Sequence, residues 1–242
     1  MRRFSLFASL SIFGFLLGGC AADAETTGST SDAVTENLSA DVRLLRREAI
    51  EGLCEIKTIA LTVELLDSEV TEKINRALTH DWTPLFAEAQ CHEHWFEVDQ
   101  RMSAEFNERN WLTVQITTDA EFQGLAPMDR QYAYKNFDLR TGALVPLTGV
   151  VDAQGADILV AACKEMLEAS PYSELTHLCD EIHEPGGHDS AFYAVGEYGI
   201  YVVPASTLDP IVPGVHVDWA ALRGHITHPT VAAIANAANP TE

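Results

Sequence analysis

The segment CHEHW, which begins at Cys91, places one thiol and two imidazoles within four residues. Thiolate sulfur and imidazole nitrogen are the usual ligands of zinc, and on a strand His92 and His94 would share one face. His183 or His188, from the segment CDEIHEPGGHD, could complete such a site. The alternative is that Cys91 forms half of a disulfide and the histidines are bystanders. The choice depends on where the protein resides.

The N-terminal sequence predicts where the protein resides. Arg2 and Arg3 precede an apolar run of fourteen residues, 4–17, and a Gly-Gly-Cys sequence follows it. Fourteen helical residues span about 21 Å, short of the roughly 30 Å hydrocarbon core of a bilayer, so the run is typical of an export signal. LLGGC resembles the bacterial lipobox, which implies a signal peptide over residues 1–19 and acyl chains on Cys20. We therefore expect a membrane-anchored lipoprotein of the bacterial cell envelope, facing the periplasm or the exterior.

The chain is strongly acidic, with a formal net charge of −21. Removing residues 1–19 removes two arginines and leaves 13 Lys and Arg against 36 Asp and Glu, a charge of −23. Phosphate backbones repel such a protein, so nucleic acid is excluded as a partner. Anionic lipid repels it as well, so membrane attachment has to come from the acyl chains on Cys20. The charge favours a cationic partner, although solubility or a saline habitat explains it equally well.

The cysteine count favours disulfides over a metal site. If Cys20 carries lipid, four of the five cysteines remain: Cys54, Cys91, Cys163 and Cys179. In an exported protein an even set is typical of disulfides, and of three connectivities we take the sequence neighbours, Cys54–Cys91 and Cys163–Cys179. Loops of 38 and 17 residues would each stabilise the fold by roughly 3–4 kcal/mol. Cys91 then lacks the free thiolate that a metal needs, so we predict no metal and no cofactor.

The chain divides into four predicted parts. Residues 20–49 are small, polar and acidic, which predicts a lipidated flexible tether. At its end, residues 42–51 are expected to add a helical turn or two. Residues 50–228 are long enough for one domain with a substantial core, and residues 229–242 are expected to fray.

Alternating apolar residues predict several strands in this domain. Residues 54–66 and 111–122 are each typical of one long strand, and residues 192–206 predict two strands around a Glu-Tyr-Gly turn. Residues 132–147 predict a hairpin with Gly142 in the left-handed conformation.

Helical periodicity predicts two or three helices. Residues 68–82 form an amphipathic pattern that we expect Ser68 to cap, and residues 154–170 form a second. Residues 214–226 are typical of a strand followed by a helix that begins at Asp218. These elements predict an α+β fold, with helices packed on a largely antiparallel sheet, in a single extracytoplasmic domain held by two disulfides.

Two segments carry a family resemblance: KNFDLRTGALVPL, from Lys135, and GIYVVPASTLDPIVPGVHVDWAALRGHI, from Gly199. They resemble the C-terminal module shared by the lysozyme-sensing RsiV anti-sigma factors and the PdaC-type peptidoglycan deacetylases. The likeness spans about residues 54–226. The matching residues are Asn136, Phe137, Asp138, Leu139, Thr141, Gly142, Gly199, Tyr201, Pro204, Pro210 and Gly214.

The chain also departs from that family. Members carry GGAHG before the hairpin, whereas residues 123–131 are QGLAPMDRQ, and PASTLDP replaces a tyrosine- and glutamate-containing segment. The sequence has no counterpart of the family's sigma-factor-binding helix, of its transmembrane span or of its metal-binding deacetylase domain.

The resemblance implies a non-catalytic, lipid-anchored envelope binding module. Its expected ligand is a cationic wall-directed protein such as lysozyme, or a fragment of peptidoglycan. The alternative is a wall-associated hydrolase or a metal-binding envelope protein. Adjacent carboxylates such as Asp180 and Glu181 could serve glycoside cleavage, but in a chain with 36 acidic residues such pairs are expected by chance. A purely structural envelope lipoprotein is a third possibility.

Overall fold

The computed structural model describes residues 37–79, 95–122, 131–183, 193–203 and 214–238. They belong to one compact unit, Glu36–Glu242. The strands are β1 (Asp41–Glu51), β2 (Cys54–Glu64), β3 (Phe96–Glu108), β4 (Trp111–Phe122), β5 (Gln131–Asp138), β6 (Ala143–Leu144), β7 (Tyr193–Val195), β8 (Gly199–Val202) and β9 (Val215–Asp218). The α-helices are α1 (Ser68–Leu78), α2 (Ala153–Glu168) and α3 (Pro229–Ala238), and 3₁₀ segments cover Leu147–Gly149 and Ser173–His183. Within these residues no helix is long and apolar enough to cross a membrane.

The strands form two sheets. The first has the order β1-β2-β3-β4-β5-β6, in which β2 and β3 are parallel and every other pair is antiparallel. The second is antiparallel, with the order β7-β8-β9. The predicted α+β class with a largely antiparallel sheet is therefore confirmed. The predicted hairpin turn is confirmed too, because Gly142 has a φ of 68°.

Helix α1 covers one face of the six-stranded sheet. The predicted stripe consists of Val70, Ile74, Ala77 and Leu78. It packs against apolar side chains of β2, β3, β4 and β5, with Ala77 only partly buried. The N-cap is Asp67 and not Ser68: the Asp67 carboxylate accepts hydrogen bonds from the backbone N–H groups of the next turn at 2.9 and 3.1 Å. A carboxylate at this position also interacts favourably with the positive end of the helix dipole.

A second core lies between the three-stranded sheet, α2, α3 and the 3₁₀ segment Ser173–His183. The predicted disulfide Cys163–Cys179 is confirmed and joins α2 to that 3₁₀ segment, with 5.9 Å between the Cα atoms. Cys54 is fully buried and also disulfide-bonded. Its predicted partner, Cys91, lies outside the described residues, so the Cys54–Cys91 pairing stays a prediction.

Three local predictions are wrong. Residues 42–51 form strand β1 rather than a helical turn at the end of a tether, because β2 supplies a partner along their whole length. Residues 229–238 form helix α3 rather than a frayed tail, and Val231 and Ile234 are fully buried. After β9 the chain makes successive tight turns instead of the helix predicted to begin at Asp218.

The tether also ends earlier than predicted, because asparagine side chains bind the backbone that precedes β1. Asn107 donates to the carbonyl of Ala40 and accepts from its N–H, both at 2.8 Å. Asn110 makes a similar pair of hydrogen bonds with Leu38. Its backbone N–H donates to the carbonyl of Leu38, and its side-chain oxygen accepts from the N–H of Leu38, each at 2.9 Å. Residues 38–40 are therefore part of the folded domain.

Candidate functional site

A cleft of about 300 Å³ opens between the two sheets. Its first wall comes from β3, β4 and β5 of the large sheet, through Glu105, Gln115 and Tyr134. Its second wall comes from the three-stranded sheet, through Ala194, Val195, Gly196, Gly199, Tyr201 and His216. The volume lies at the lower end of the range found for small-molecule sites. Hereafter these nine residues are called the inter-sheet cleft.

Tyr134 is the most buried polar group of this cleft. Its ring is only 4% exposed, and its hydroxyl accepts a hydrogen bond from Gln115 Nε2 at 2.8 Å. Burial raises the pKa of Tyr134 to about 12, although the Gln115 hydrogen bond acts in the opposite direction. The phenol therefore stays protonated at neutral pH, and its O–H can donate a hydrogen bond to a bound ligand.

Tyr201 faces Tyr134 across the two sheets. The rings meet edge to face, with centroids 6.2 Å apart and planes at 79°. The Tyr201 hydroxyl accepts from the backbone N–H of Gly214 at 3.2 Å. A Cβ on Gly214 would lie 2.2 Å from the Tyr201 ring, so only glycine lets the chain pass this closely.

Besides the two tyrosines, His216 and Glu105 are the ionisable groups of the cleft. His216 lies on β9, half-exposed, and its Nδ1 is 3.2 Å from a carboxylate oxygen of Asp218. Gly199 lies beside it: a Cβ there would be 2.1 Å from the carbonyl oxygen of Val217. Glu105 lies exposed at the irregularity in the β3–β4 register between Ala104 and Phe106. A β-bulge at such a point changes the direction of a side chain, which gives the large sheet an acidic group at the rim of the cleft.

Asn136 fixes the spacing of the two walls. It is fully buried, donates from Nδ2 to the carbonyl of Tyr193 at 2.8 Å, and accepts at Oδ1 from the N–H of Val195 at 3.2 Å. The Thr113 hydroxyl lies 2.8 Å from the carbonyl of Val195 and 3.0 Å from Asn136 Oδ1, and it can donate to either. Trp111 donates to that hydroxyl at 3.1 Å.

The rest of the NFDLRTG motif builds the turn after β5. Phe137 and Leu139 are buried under α1. The carbonyl of Asp138 accepts from the N–H groups of Thr141 and Gly142, at 3.2 and 2.8 Å. These residues support the cleft and do not line it. Of the motif residues, Gly199 and Tyr201 line it directly, and Gly214 does so through its contact with Tyr201.

A histidine–aspartate contact lies apart from the cleft. His228 Nε2 is 3.7 Å from an oxygen of Asp138, and its ring meets Trp111 edge to face with centroids 5.1 Å apart. Desolvation by burial lowers the pKa of His228. The Asp138 carboxylate raises this pKa, and the charge of Arg140 lowers it further.

Several predicted site residues lie outside the described residues: Cys20, Cys91, Pro204 and Pro210. The same holds for His92, His94 and His188 of the alternative metal site. Within the described part of the chain no group of three or more histidine, cysteine, aspartate or glutamate side chains is placed to hold a metal ion.

Sequence reasoning did not identify Tyr134, Gln115, Glu105 or His216. Tyr134 and Gln115 occupy opposed positions on neighbouring strands, β5 and β4, a pairing that alternation alone does not reveal. The signal that could have indicated Tyr134 is its place in the alternating segment YAYKN, two residues before Asn136 and on the same face.

Comparison with solved structures shows the same fold in DUF3298 family proteins. One from Bacteroides fragilis superimposes with a TM-score of 0.56 at 10% identity, over 81% of this chain and 97% of that one. One from Pseudomonas aeruginosa gives a TM-score of 0.55 at 10% identity, over 79% of this chain and 96% of that one. Identity this low shows a shared fold and leaves function open. No protein-family model and no curated protein matches the chain.

Proposed function

We propose that this protein is a non-catalytic binding module of the bacterial cell envelope, anchored by acyl chains on Cys20, and that its inter-sheet cleft binds a fragment of peptidoglycan. The observation that carries the proposal is the buried Tyr134 phenol, hydrogen-bonded to Gln115 and opposed by Tyr201. The resemblance of two segments to the RsiV and PdaC module supports it. Those residues of the resemblance that lie in the described part of the chain line or support this same cleft.

The lining suits a sugar–peptide ligand. Such a ligand offers hydroxyl and amide groups on a partly apolar frame. The phenols and the Gln115 amide provide hydrogen bonds in a desolvated setting, and the tyrosine rings provide apolar surface. His216 and Glu105 add a donor or acceptor at the rim. The cleft of about 300 Å³ accommodates about one sugar unit or a short peptide stem rather than a folded protein surface.

A titration with soluble peptidoglycan fragments tests the binding proposal. The chain Ala21–Glu242 contains the whole compact unit Glu36–Glu242, and calorimetry would measure its affinity. Tyr134→Phe should weaken binding about 3–10-fold, since a net hydrogen bond is worth roughly 0.5–1.5 kcal/mol. Tyr132→Phe is the matched control, because Tyr132 lies two residues away on the same strand and outside the cleft. Equal losses in both variants, or no binding by the wild type, would contradict the proposal.

A cationic wall-directed protein such as lysozyme is the second candidate ligand, and the net charge of −21 favours it. Binding of this kind should weaken steeply from low to moderate salt, because exposed charges are screened over about 8–10 Å at physiological ionic strength. Calorimetry against a cationic lysozyme at two salt concentrations measures this. Tyr134→Phe should then have little effect, which separates the second candidate from the first. Release of wall fragments by the pure protein would instead favour the hydrolase alternative.

The anchor is tested separately. Cys20→Ser should abolish incorporation of a labelled fatty acid and leave the precursor uncleaved after Gly19, because the thiol is the acylated group of a lipobox. A variant that is processed and labelled like the wild type would contradict the lipoprotein assignment.

A further inference from the structure

The outer edge of β1 is a long strand edge that, within the described part of the chain, only its own charged side chains protect. Among the described residues β1 pairs only with β2 and lies at the end of the six-stranded sheet. It runs for eleven residues without proline, glycine or lysine, and its register with β2 is regular throughout. Natural sheets normally block such an edge with a bulge, a proline, charged side chains or a covering segment. The charged side chains of β1 are of both signs, so they can pair with those of a second strand.

The hairpin register shows which backbone groups face outward. The β1–β2 loop consists of two residues, Gly52 and Leu53, and Gly52 has a φ of 59°. In a two-residue hairpin the flanking pair, here Glu51 and Cys54, is hydrogen-bonded, and hydrogen-bonded and non-hydrogen-bonded pairs then alternate. The odd-numbered residues of β1 therefore bond to β2. The even-numbered residues present their N–H and C=O groups to the outer edge.

We infer that this outer edge pairs antiparallel with the outer edge of β1 in a second copy of the chain, with Arg47 at the two-fold axis. In this register Arg46 of each copy lies opposite Glu48 of the other. Leu44 lies opposite Ile50, and these are two of the most exposed large apolar side chains, at 64% and 67%. Because of the two-fold symmetry, each of these contacts occurs twice in the dimer.

The remaining pairs of this register are also compatible. Arg43 lies opposite Glu51, and Leu45, itself exposed, lies opposite Ala49. The one unfavourable pair is Arg47 against its own copy, at the axis. Within the described part of the chain no salt bridge engages Arg47, Glu48 or Glu51, so these charges are available.

Neighbouring registers are much poorer. A two-fold axis perpendicular to the sheet joins the two copies so that equivalent faces of their sheets lie on the same side. Opposed residues must then point to the same face, so one strand can slide along the other only by two residues at a time. One step places Arg46 against itself and Asp41 against Glu51. The opposite step places Glu48 against itself and Arg46 against Ile50. Opposed like charges destabilise a strand pair, so the sequence of β1 favours the Arg47-centred register.

Sedimentation of the chain Ala21–Glu242 over a concentration series tests the inference. One strand pair makes a small interface, so we expect reversible dimers with a dissociation constant on the order of 10–100 µM. Arg46→Glu alone and Glu48→Arg alone should each weaken association at least tenfold. An equimolar mixture of these two variants should associate again, because every 46–48 contact is then of opposite charge, and the double variant should self-associate like the wild type. Arg76→Glu, on α1, is a charge-reversal control that should have no effect.

A cysteine at the axis gives an independent test. Arg47 faces its own copy in a non-hydrogen-bonded pair, in which Cα atoms are about 4.5 Å apart, within the range for a disulfide. Arg47→Cys should form a covalent dimer on mild oxidation, and Arg43→Cys, which lies opposite Glu51, should not. A wild type that stays monomeric at millimolar concentration would overturn the inference. So would single variants that associate normally, a mixture that does not recover, or equal cross-linking at positions 43 and 47.

Discussion

Asn136 donates from Nδ2 to the carbonyl oxygen of Tyr193 at 2.8 Å, and this hydrogen bond joins the two sheets through a fully buried side chain. The same amide accepts from the N–H of Val195, so one side chain of β5 binds two backbone groups of β7. Asn75 does the same for Val63 of β2, with bonds of 2.8 and 2.9 Å to its N–H and C=O. In both places one asparagine amide satisfies a backbone N–H and a backbone C=O of a strand.

Replacing Asn136 with alanine should lower the free energy of unfolding by about 2–4 kcal/mol, because each buried polar group left without a partner costs roughly 1–3 kcal/mol. Urea unfolding followed by tryptophan fluorescence measures the loss. Asn107→Ala is the comparison: it removes a similar pair of bonds, to Ala40, from a half-buried position and should cost less. Equal losses would mean that Asn136 does not have the special role that its position indicates.

Gly142→Ala should destabilise the fold more than Gly224→Ala. Both glycines have positive φ, 68° and 87°. A left-handed conformation costs a residue with a Cβ roughly 1–2 kcal/mol. A Cβ at Gly142 would also lie 3.0 Å from the carbonyl oxygen of Val70, whereas nothing lies within 4 Å of one at Gly224. The difference between the two free energies of unfolding therefore measures the contact of the turn with α1, and no difference would contradict it.

Removing the Cys163–Cys179 disulfide should lower the free energy of unfolding by about 3 kcal/mol, the chain-entropy value for a closed loop of this size. The double variant Cys163→Ala, Cys179→Ala measures it in urea. Both sulfurs are fully buried, so reductant added to the folded wild type should act slowly. A double variant as stable as the wild type would show that α2 and the 3₁₀ segment Ser173–His183 hold together by packing alone.

The pKa of His228 makes the fold less stable in mild acid. Burial holds this pKa below 6.5, the value expected in the unfolded chain. Between the folded pKa and 6.5 the unfolded state binds a proton that the folded state does not, so stability falls as the pH is lowered through that window. Above 6.5 the group has no effect.

His228→Gln should remove this part of the pH dependence. The measurement is the free energy of unfolding of both proteins at pH 7.5 and at pH 5.5. The wild type should lose more stability between the two values than the variant does. Equal losses would mean that Asp138 compensates fully for the burial of the imidazole.

Elements whose pattern is local could be predicted from the amino-acid sequence. The stripe of Val70, Ile74 and Leu78 defines α1, because residues three and four apart share a helix face wherever the helix packs. Alternation defines β4, and Gly142 marks the turn after β5 because few other residues adopt a positive φ. Cys163–Cys179 followed from sequence proximity in a chain expected to be exported.

Features that depend on a partner distant in the sequence could not be predicted, because the partner comes into contact only when the chain folds. VRLLRREAIE is rich in good helix formers, yet it lies in strand β1. All ten of its residues pair with β2, and this outweighs propensities of a few tenths of a kcal/mol per residue. The sequence of helix α3 does not alternate clearly between polar and apolar faces. The helix is stabilised by packing of Val231 and Ile234 into the second core, which the sequence does not reveal. The inter-sheet cleft follows the same rule. Tyr134 and Tyr201 are 67 residues apart in the sequence, and they meet because Asn136 and Thr113 bind the second sheet to the first.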